Sequence, residues 1–299
     1  MENTRTKTTR NSLILLLTAA IWGMAFVSQS KGMDYMHPFT FNGVRSLIGA
    51  ASILVYILIS RKIAGDKAAP LDWKLNVKAG LLCGIFLTIA STLQQFGIKY
   101  TSVGKAGFIT TLYIIFVPMF GIFLKKKVAP VVWAAAVMAA VGMYLLCMTE
   151  SLRLGAGDIM VFLCAIAFAI QIMTVDHYAA RIDGAVVSCI QFTVCGVVCC
   201  IGALIWGQPT FGQLQEGLGA LLYAGVLSCG VGYTLQIVGQ KGLNPTVAAL
   251  IMSLESVIAT ISGWIAYKIG FLTTDQTLTA RQIAGCVIVF AAVIVGGVS

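Results

Sequence analysis

Charged residues are scarce in this sequence. Only 10% of the 299 residues are Asp, Glu, Lys or Arg, whereas 59% are hydrophobic and the mean hydropathy is +0.92. A soluble domain carries about 25% charged residues, which it needs to cover a water-facing surface. So low a charge content excludes an ordinary soluble domain and indicates a chain whose outer surface faces lipid.

Histidine is almost absent, and the motifs of several function classes are missing. The two histidines, His37 and His177, fall in loops, and the nine cysteines include no C-x-x-C pair, so no zinc site is expected. The chain lacks the G-x-x-x-x-G-K-[ST] motif, and therefore an ATP site of its own. The hydrophobic segments contain no Ser-His or Asp-Asp constellation that would favour an enzyme. We expect no cofactor, no metal and no enzymatic activity.

Long hydrophobic runs are what the sequence has in abundance. A helix of roughly 20 apolar residues crosses the hydrocarbon core, and helices are favoured because lipid offers the backbone no hydrogen-bond partner. Such segments lie near residues 11–30, 39–60, 76–98, 103–124, 130–148, 157–175, 185–206, 217–239, 246–268 and 280–298. The sequence therefore predicts an all-α integral membrane protein with ten transmembrane helices.

The positive charges between these segments predict the orientation of the chain. With a cytoplasmic N-terminus, thirteen Lys and Arg residues face inwards: Arg5, Lys7, Arg10, Arg61, Lys62, Lys67, Lys74, Lys78, Lys125, Lys126, Lys127, Arg181 and Lys241. Six face outwards: Lys31, Lys99, Lys105, Arg153, Lys268 and Arg281. Because cytoplasmic loops carry the excess of Lys and Arg, this bias places both termini in the cytoplasm of a multi-pass cell (inner) membrane protein. The net charge of +9 is explained in this way, and no nucleic-acid partner is expected.

An internal repeat relates the two halves of the chain. The residues Thr92-Leu93-Gln94, Gly97 and Lys99 recur with the same spacing as Thr234-Leu235-Gln236, Gly239 and Lys241. The predicted organisation is a cytoplasmic tail at 1–10 and five-helix repeats at 11–148 and 157–298. Since five spans form each unit, the second would enter the bilayer upside down, which is typical of secondary transporters. A gene duplication without a transport function is the alternative.

Three motifs resemble the EamA type of the drug/metabolite transporter superfamily. They are Ala20-Ile21-Trp22-Gly23-Met24-Ala25-Phe26, close to the family's A-x-W-G-x-x-F/Y signature; Gly97-Ile98-Lys99-Tyr100-Thr101-Ser102 with Gly104 to Ala106; and Asn244-Pro245-Thr246-Val247-Ala248-Ala249 leading to Leu254-Glu255. The resemblance implies two inverted five-helix repeats around a central cavity, with alternating access. It also implies export or uptake of amino acids, sugars, nucleotide precursors or other small metabolites.

Two charged residues inside the predicted spans are the main candidates for a substrate site. Glu255 lies ten residues into the ninth span, ~15 Å deep, and Arg45 lies ~10 Å deep in the second. A charge at such a depth costs about 2.5–3.5 kcal/mol or more, so it is expected to face a protein interior and to have a function. We hypothesise one polar network, with an ion pair that substrate opens. A structural carboxyl at Glu255 and snorkelling of Arg45 are the alternatives.

Further candidates follow from depth and from the repeat. Tyr113 stands at the repeat position of Glu255, because 255 minus 113 equals the 142 residues between Gln94 and Gln236. The remaining predicted substrate-binding residues are Trp22, Gln94, Gln95, Gln171 and Gln236. For the glutamines, hydrogen bonding between helices is the alternative. For Tyr113, the alternative is a core tyrosine whose hydroxyl has a partner.

The function predicted from these residues is secondary transport of small metabolites such as amino acids or amines, with export as the direction. The expected partners are a small-molecule substrate, the lipid bilayer, and a proton or counter-substrate, with the protein a monomer or weak dimer. A channel or a membrane-embedded enzyme is the alternative. A channel would need a ring of repeated polar residues, usually from an oligomer.

Overall fold

The structure is a computed structural model that describes residues 2–65, 70–124, 128–147, 155–273 and 275–297. Several predicted loop cations, Lys67, Lys125, Lys126, Lys127 and Arg153, lie outside these residues, as do the side chains of Arg5 and Lys7.

Within the described residues, every regular element is helical. The main helices are α1 Glu2–Gly32, α2 Pro38–Ala64, α3 Trp73–Ile98, α4 Val103–Phe123, α5 Pro130–Cys147, α6 Ala156–Tyr178, α7 Gly184–Gly207, α8 Leu218–Gln240, α9 Pro245–Lys268 and α10 Ala280–Gly297. A short helix, Phe211–Glu216, precedes α8. Eight of the ten are long and apolar enough to cross a membrane, whereas α5 and α10, also predicted as spans, are shorter apolar helices.

The sequence specifies where several of these helices begin. Ser102 accepts a hydrogen bond from the Lys105 amide (3.3 Å) and so caps α4. Asn244 accepts from the Thr246 amide (2.9 Å) before α9, whose first residue is Pro245. Side-chain caps of this kind satisfy amides that have no partner in the first turn, and proline suits that turn because it lacks an amide hydrogen. The two caps are 142 residues apart, so the repeat extends to helix capping.

Two helices that were predicted to be continuous are interrupted at mid-length. Helix α4 is broken at Leu112, and α9 is broken at Ser253 and Leu254. The Ser253 hydroxyl donates to the Leu250 carbonyl (2.7 Å) and the Ser256 hydroxyl to the Ser253 carbonyl (2.8 Å). Apolar periodicity did not reveal these breaks because hydroxyl groups replace the missing backbone partners, as buried irregular backbone in a membrane requires.

Helix α8 contains a second irregularity, a π-helical segment at Tyr223–Gly232. Helix α2 packs tightly against it. A Cβ atom on Gly49 would lie 3.0 Å from the Gly225 carbonyl oxygen, and one on Gly225 would lie 2.9 Å from the Arg45 carbonyl oxygen. Small residues therefore bring the two backbones together here, as in other membrane helix pairs.

The packing of the helices has the same pattern when the two halves of the chain are exchanged. Helix α1 packs against α8 and α9, and its counterpart α6 packs against α3 and α4. Likewise α2 packs on α8 as α7 does on α3, while α2 packs on α7, α4 on α9 and α5 on α10. These contacts place the central helices α1, α3, α4, α6, α8 and α9 around the region where the candidate residues meet.

Candidate functional site

A small cavity lies between the two halves of the chain. Residues of α1, α2, α3, α4, α6, α7, α8 and α9 line it, and its volume is about 40 Å³. One water needs roughly 10–15 Å³ on this measure, so the cavity holds about three waters. Sites for small molecules typically reach about 300–1,000 Å³. The structure thus shows a contracted site, which must widen before a metabolite can bind.

Seven of the eight residues predicted as substrate-binding line this cavity. They are Trp22, Arg45, Gln94, Tyr113, Gln171, Gln236 and Glu255. Gln95 does not line it. Its side-chain amide turns away and donates to the Gln29 carbonyl oxygen of α1 at 3.2 Å, a contact between helices.

Glu255 is the carboxyl of the cavity. It begins the second part of α9, directly after the break, and is only 4% exposed. Tyr113 donates a hydrogen bond from its hydroxyl to Glu255 Oε1 at 3.0 Å. The side chain therefore faces the protein interior rather than acyl chains, as the cost of an intramembrane charge demands.

Arg45 supplies the positive charge, and it is 5% exposed. Its Nε donates to Asn42 Oδ1 at 2.8 Å, while Asn42 Nδ2 donates to the Ser91 carbonyl at 2.8 Å. The guanidinium lies over the Phe41 ring, 5.4 Å from its centroid. Among the described residues, the terminal guanidinium nitrogens have no hydrogen-bond partner. The fork that suits a carboxylate is therefore held at the cavity but unoccupied.

The hypothesised ion pair between Arg45 and Glu255 is not formed in this structure. The described ion pairs are Lys31–Asp34 and Lys105–Asp158. Asn42, one helical turn before Arg45, binds the guanidinium instead, and Tyr113 binds the carboxyl. The two opposite charges thus line one cavity while each is held by a neutral neighbour.

Side-chain amides form the polar wall of the cavity. Gln171 bonds with Gln236 (3.3 and 3.5 Å) and donates to Gln191 at 3.5 Å, and Gln94 donates to the Thr110 hydroxyl at 3.1 Å. Gln29, also on the wall, has a buried Oε1 without a hydrogen-bond partner. It is the repeat counterpart of Gln171, since 171 minus 29 is 142, and that signal could have identified it from sequence.

Aromatic side chains form the apolar wall. The Trp22 ring lies 4.5 Å from that of Tyr233, which in turn lies 4.9 Å from the Phe192 ring. Trp22 Nε1 points towards the Ser228 carbonyl of the π-helical segment at 3.4 Å. Sequence reasoning did not select Phe168, Phe192, Ser228, Cys229 or Tyr233, because an aromatic or small residue in an apolar helix reads the same whether it faces lipid or a cavity.

A buried ion pair lies away from the cavity, where the α3–α4 junction meets the start of α6. Lys105 Nζ is 2.6 Å from Asp158 Oδ2, and Asp158 is 4% exposed. The carboxylate also accepts from the Thr101 hydroxyl (2.9 Å) and the Gly155 amide (2.9 Å). These contacts join the two halves of the chain at that end.

Metal chemistry finds no support among the described residues. No group of three or more His, Cys, Asp or Glu side chains there could hold a metal ion.

Comparison with known proteins identifies the family. The sequence profile of the EamA-like transporter family matches residues 10–148 and again 155–296. The chain belongs to the EamA-like transporter family. The two matches divide the chain where the sequence repeat divides it, and both contribute residues to the cavity. The protein is accordingly a multi-pass membrane protein of a transporter family.

Relatives and solved structures agree with this assignment. An uncharacterized transporter of Archaeoglobus fulgidus is 27% identical over 94% of this chain and 83% of its own length. The uncharacterized transporter YwfM of Bacillus subtilis is 27% identical over 84% of each chain. A crystal structure with 17% sequence identity superposes with a TM-score of 0.73 over 96% of both chains, which shows that the fold is shared.

Proposed function

We propose that this protein is a secondary transporter that exports small zwitterionic or cationic metabolites, amino acids or amines, by alternating access. One observation carries the proposal. Arg45 and Glu255 line the same buried cavity without pairing to each other. An α-amino acid carries a carboxylate and an ammonium group, which match the two charges. The aromatic wall formed by Trp22, Phe192 and Tyr233 would receive an apolar side chain.

The contracted cavity supports alternating access rather than a permanent channel. At about 40 Å³ it is too small for an amino acid, so substrate must bind in a wider conformation. The exchangeable packing of the two halves supplies a pair of conformations. If ten helices span the membrane with both termini in the cytoplasm, five-helix repeats of opposite orientation follow, and a cavity between them can open to either side in turn.

Counterflow in proteoliposomes tests the proposal. Purified protein is reconstituted with unlabelled substrate inside, and uptake of labelled substrate is measured for a panel of amino acids and amines, first selected by thermal stabilisation. We expect saturable uptake that depends on internal substrate. Glu255→Gln and Arg45→Gln should each lower it at least tenfold for zwitterions, since each loses a charge–charge contact. Glu216→Gln, an exposed position before α8, is the matched control.

Two results would count against the proposal. Conductance that does not saturate, without exchange, would indicate a channel. Counterflow of an amino acid that is unchanged in both Glu255→Gln and Arg45→Gln would remove the cavity from the transport path.

A further inference from the structure

Glu255 is a buried carboxyl in a cavity that offers it no cation. It is 4% exposed, and its described hydrogen bond comes from the neutral Tyr113 hydroxyl. The single positive charge on the cavity wall, Arg45, is engaged by Asn42 and forms no ion pair with it. An ionised carboxyl in such surroundings is unfavourable unless a partner neutralises it.

The other titratable groups around Glu255 do not change this conclusion. From the elements packed around the cavity these are Arg45 on α2, Tyr113 on α4, Cys164 on α6, and Cys229 and Tyr233 on α8. Phenols and thiols are ordinarily neutral near pH 7, so they provide hydrogen bonds but no compensating positive charge.

We propose that Glu255 binds a proton in the empty carrier and releases it when the ammonium group of the substrate binds. The inference rests on the proposed function and adds its coupling ion. Tyr113 holds Oε1 in both states, because a carboxyl oxygen accepts from a hydroxyl whether or not the group is ionised. Oε2 has no described partner, so it is the atom that carries either the proton or the hydrogen bond from the ammonium group.

The exchange balances atoms and charge. On one side, substrate ammonium displaces the proton from Glu255 Oε2, and that proton leaves to the solution from which substrate came. On the other side, substrate leaves and a proton from that solution binds Oε2. One proton therefore moves opposite to each substrate. An inward proton gradient then drives export, which supplies the direction of transport.

The charge on Arg45 makes the cycle sensitive to membrane potential in a predictable way. With a zwitterion bound, the site holds one positive and one negative protein charge and a neutral substrate. When empty it holds Arg45 and a neutral Glu255. Net exchange of a zwitterion for a proton thus moves one positive charge, whereas exchange of a monovalent amine for a proton moves none.

Flux measurements with the wild-type protein test the coupling. Vesicles with an acidic lumen should accumulate external zwitterion at least tenfold above vesicles without a pH gradient, and the lumen should lose one proton per substrate. A potential set with potassium and valinomycin should change the rate for a zwitterion but not for an amine. Counterflow without a gradient is measured in parallel. If counterflow occurs while the pH gradient drives no accumulation and no proton moves, the coupling is wrong and the transport function stands. If counterflow is absent, the transport function fails.

Infrared difference spectroscopy assigns the proton to Glu255. The wild-type spectrum minus that of Glu255→Gln, both without substrate, should show the C=O band of a protonated carboxyl. Substrate should remove that band from the wild type. Glu216→Gln, the exposed control, should retain it. This comparison does not require Glu255→Gln to bind substrate. Absence of the band from the wild type would overturn the assignment.

Discussion

The Tyr113 hydroxyl donates to Glu255 Oε1 across 3.0 Å, and the two residues are separated by 142 positions, the spacing of the sequence repeat. Each also follows the residue at which its helix is interrupted, Leu112 in α4 and Leu254 in α9. The hydrogen bond therefore links the second parts of two broken helices. It is the point at which the repeat, the interruptions and the cavity coincide.

Removal of this hydroxyl should destabilise the protein modestly. Tyr113→Phe leaves the ring in place but removes the donor to Glu255, at a cost of about 0.5–1.5 kcal/mol. The midpoint of thermal denaturation in detergent should fall by a few degrees. In a double-mutant cycle with Glu255→Gln, the two effects should be non-additive because the side chains share one contact.

Tyr56→Phe is the control for this prediction, because Tyr56 is 58% exposed. It should leave the denaturation midpoint unchanged. Additive effects of Tyr113→Phe and Glu255→Gln would mean that the hydrogen bond contributes nothing to stability.

The sequence carried much of the site because membrane depth and repeat spacing are both linear quantities. Glu255 and Arg45 were selected by depth, and Tyr113 by its position in the repeat. The partner of Arg45 could not be selected in this way, since the choice between Asn42 and Glu255 depends on side-chain geometry. The breaks in α4 and α9 and the π-helical segment of α8 also escaped prediction, because apolar composition does not record how backbone carbonyls are satisfied.

The Arg45 guanidinium should determine the preference for substrates that carry a carboxylate. Arg45→Lys keeps the charge but loses the planar fork, which binds a carboxylate through two parallel hydrogen bonds. We expect the KM of a zwitterion to rise about tenfold or more, which corresponds to about 1.4 kcal/mol. The KM of an amine without a carboxylate should not change. Competition between the two substrates in counterflow measures the difference.

Asn42→Ala tests whether Asn42 positions Arg45. It removes the acceptor for Arg45 Nε and should raise the KM of the zwitterion in the same direction, but less. Arg281→Lys, at an exposed site, should have no effect. An equal rise in KM for the zwitterion and the amine would show that Arg45 does not bind the carboxylate.

The ion pair at the α3–α4 junction should contribute strongly to stability. Lys105→Met leaves the Asp158 carboxylate, 4% exposed, without its cation, and breaking a buried pair in this way costs about 3–5 kcal/mol. The double variant Lys105→Met/Asp158→Asn should be more stable than the single variant, because it no longer buries an uncompensated charge. Thermal denaturation in detergent measures both effects.

The surface pair Lys31–Asp34 provides a matched comparison. Its nitrogen–oxygen distance is 3.0 Å, but the Asp34 side chain is 47% exposed. Lys31→Met should therefore cost at most about 1 kcal/mol. Equal effects of Lys31→Met and Lys105→Met would show that burial of Asp158 does not govern the strength of the pair.

Stability should decrease in mild acid because of His37. Desolvation, with a smaller contribution from Lys99, lowers the pKa of His37 below its ordinary value of 6.5. The unfolded chain then binds more protons than the folded one, so stability is complete above about pH 6.5 and decreases as pH falls below it. Protonation also removes the Nδ1 acceptor that caps α2 through the Phe39 amide at 3.3 Å.

His37→Asn separates this effect from other acid effects. Asparagine retains a capping oxygen but does not titrate, so the denaturation midpoint should become less dependent on pH between 5 and 7. His177→Asn, on α6, should keep the wild-type dependence. If His37→Asn also keeps it, another group is responsible.

The size of the cavity has a consequence for the cell. About three waters fit in 40 Å³, whereas an unbroken water file across a hydrocarbon core of about 30 Å needs roughly ten. An idle carrier in this conformation is thus electrically insulating. A cell could hold many copies in its membrane without leaking the ion gradients from which it makes ATP.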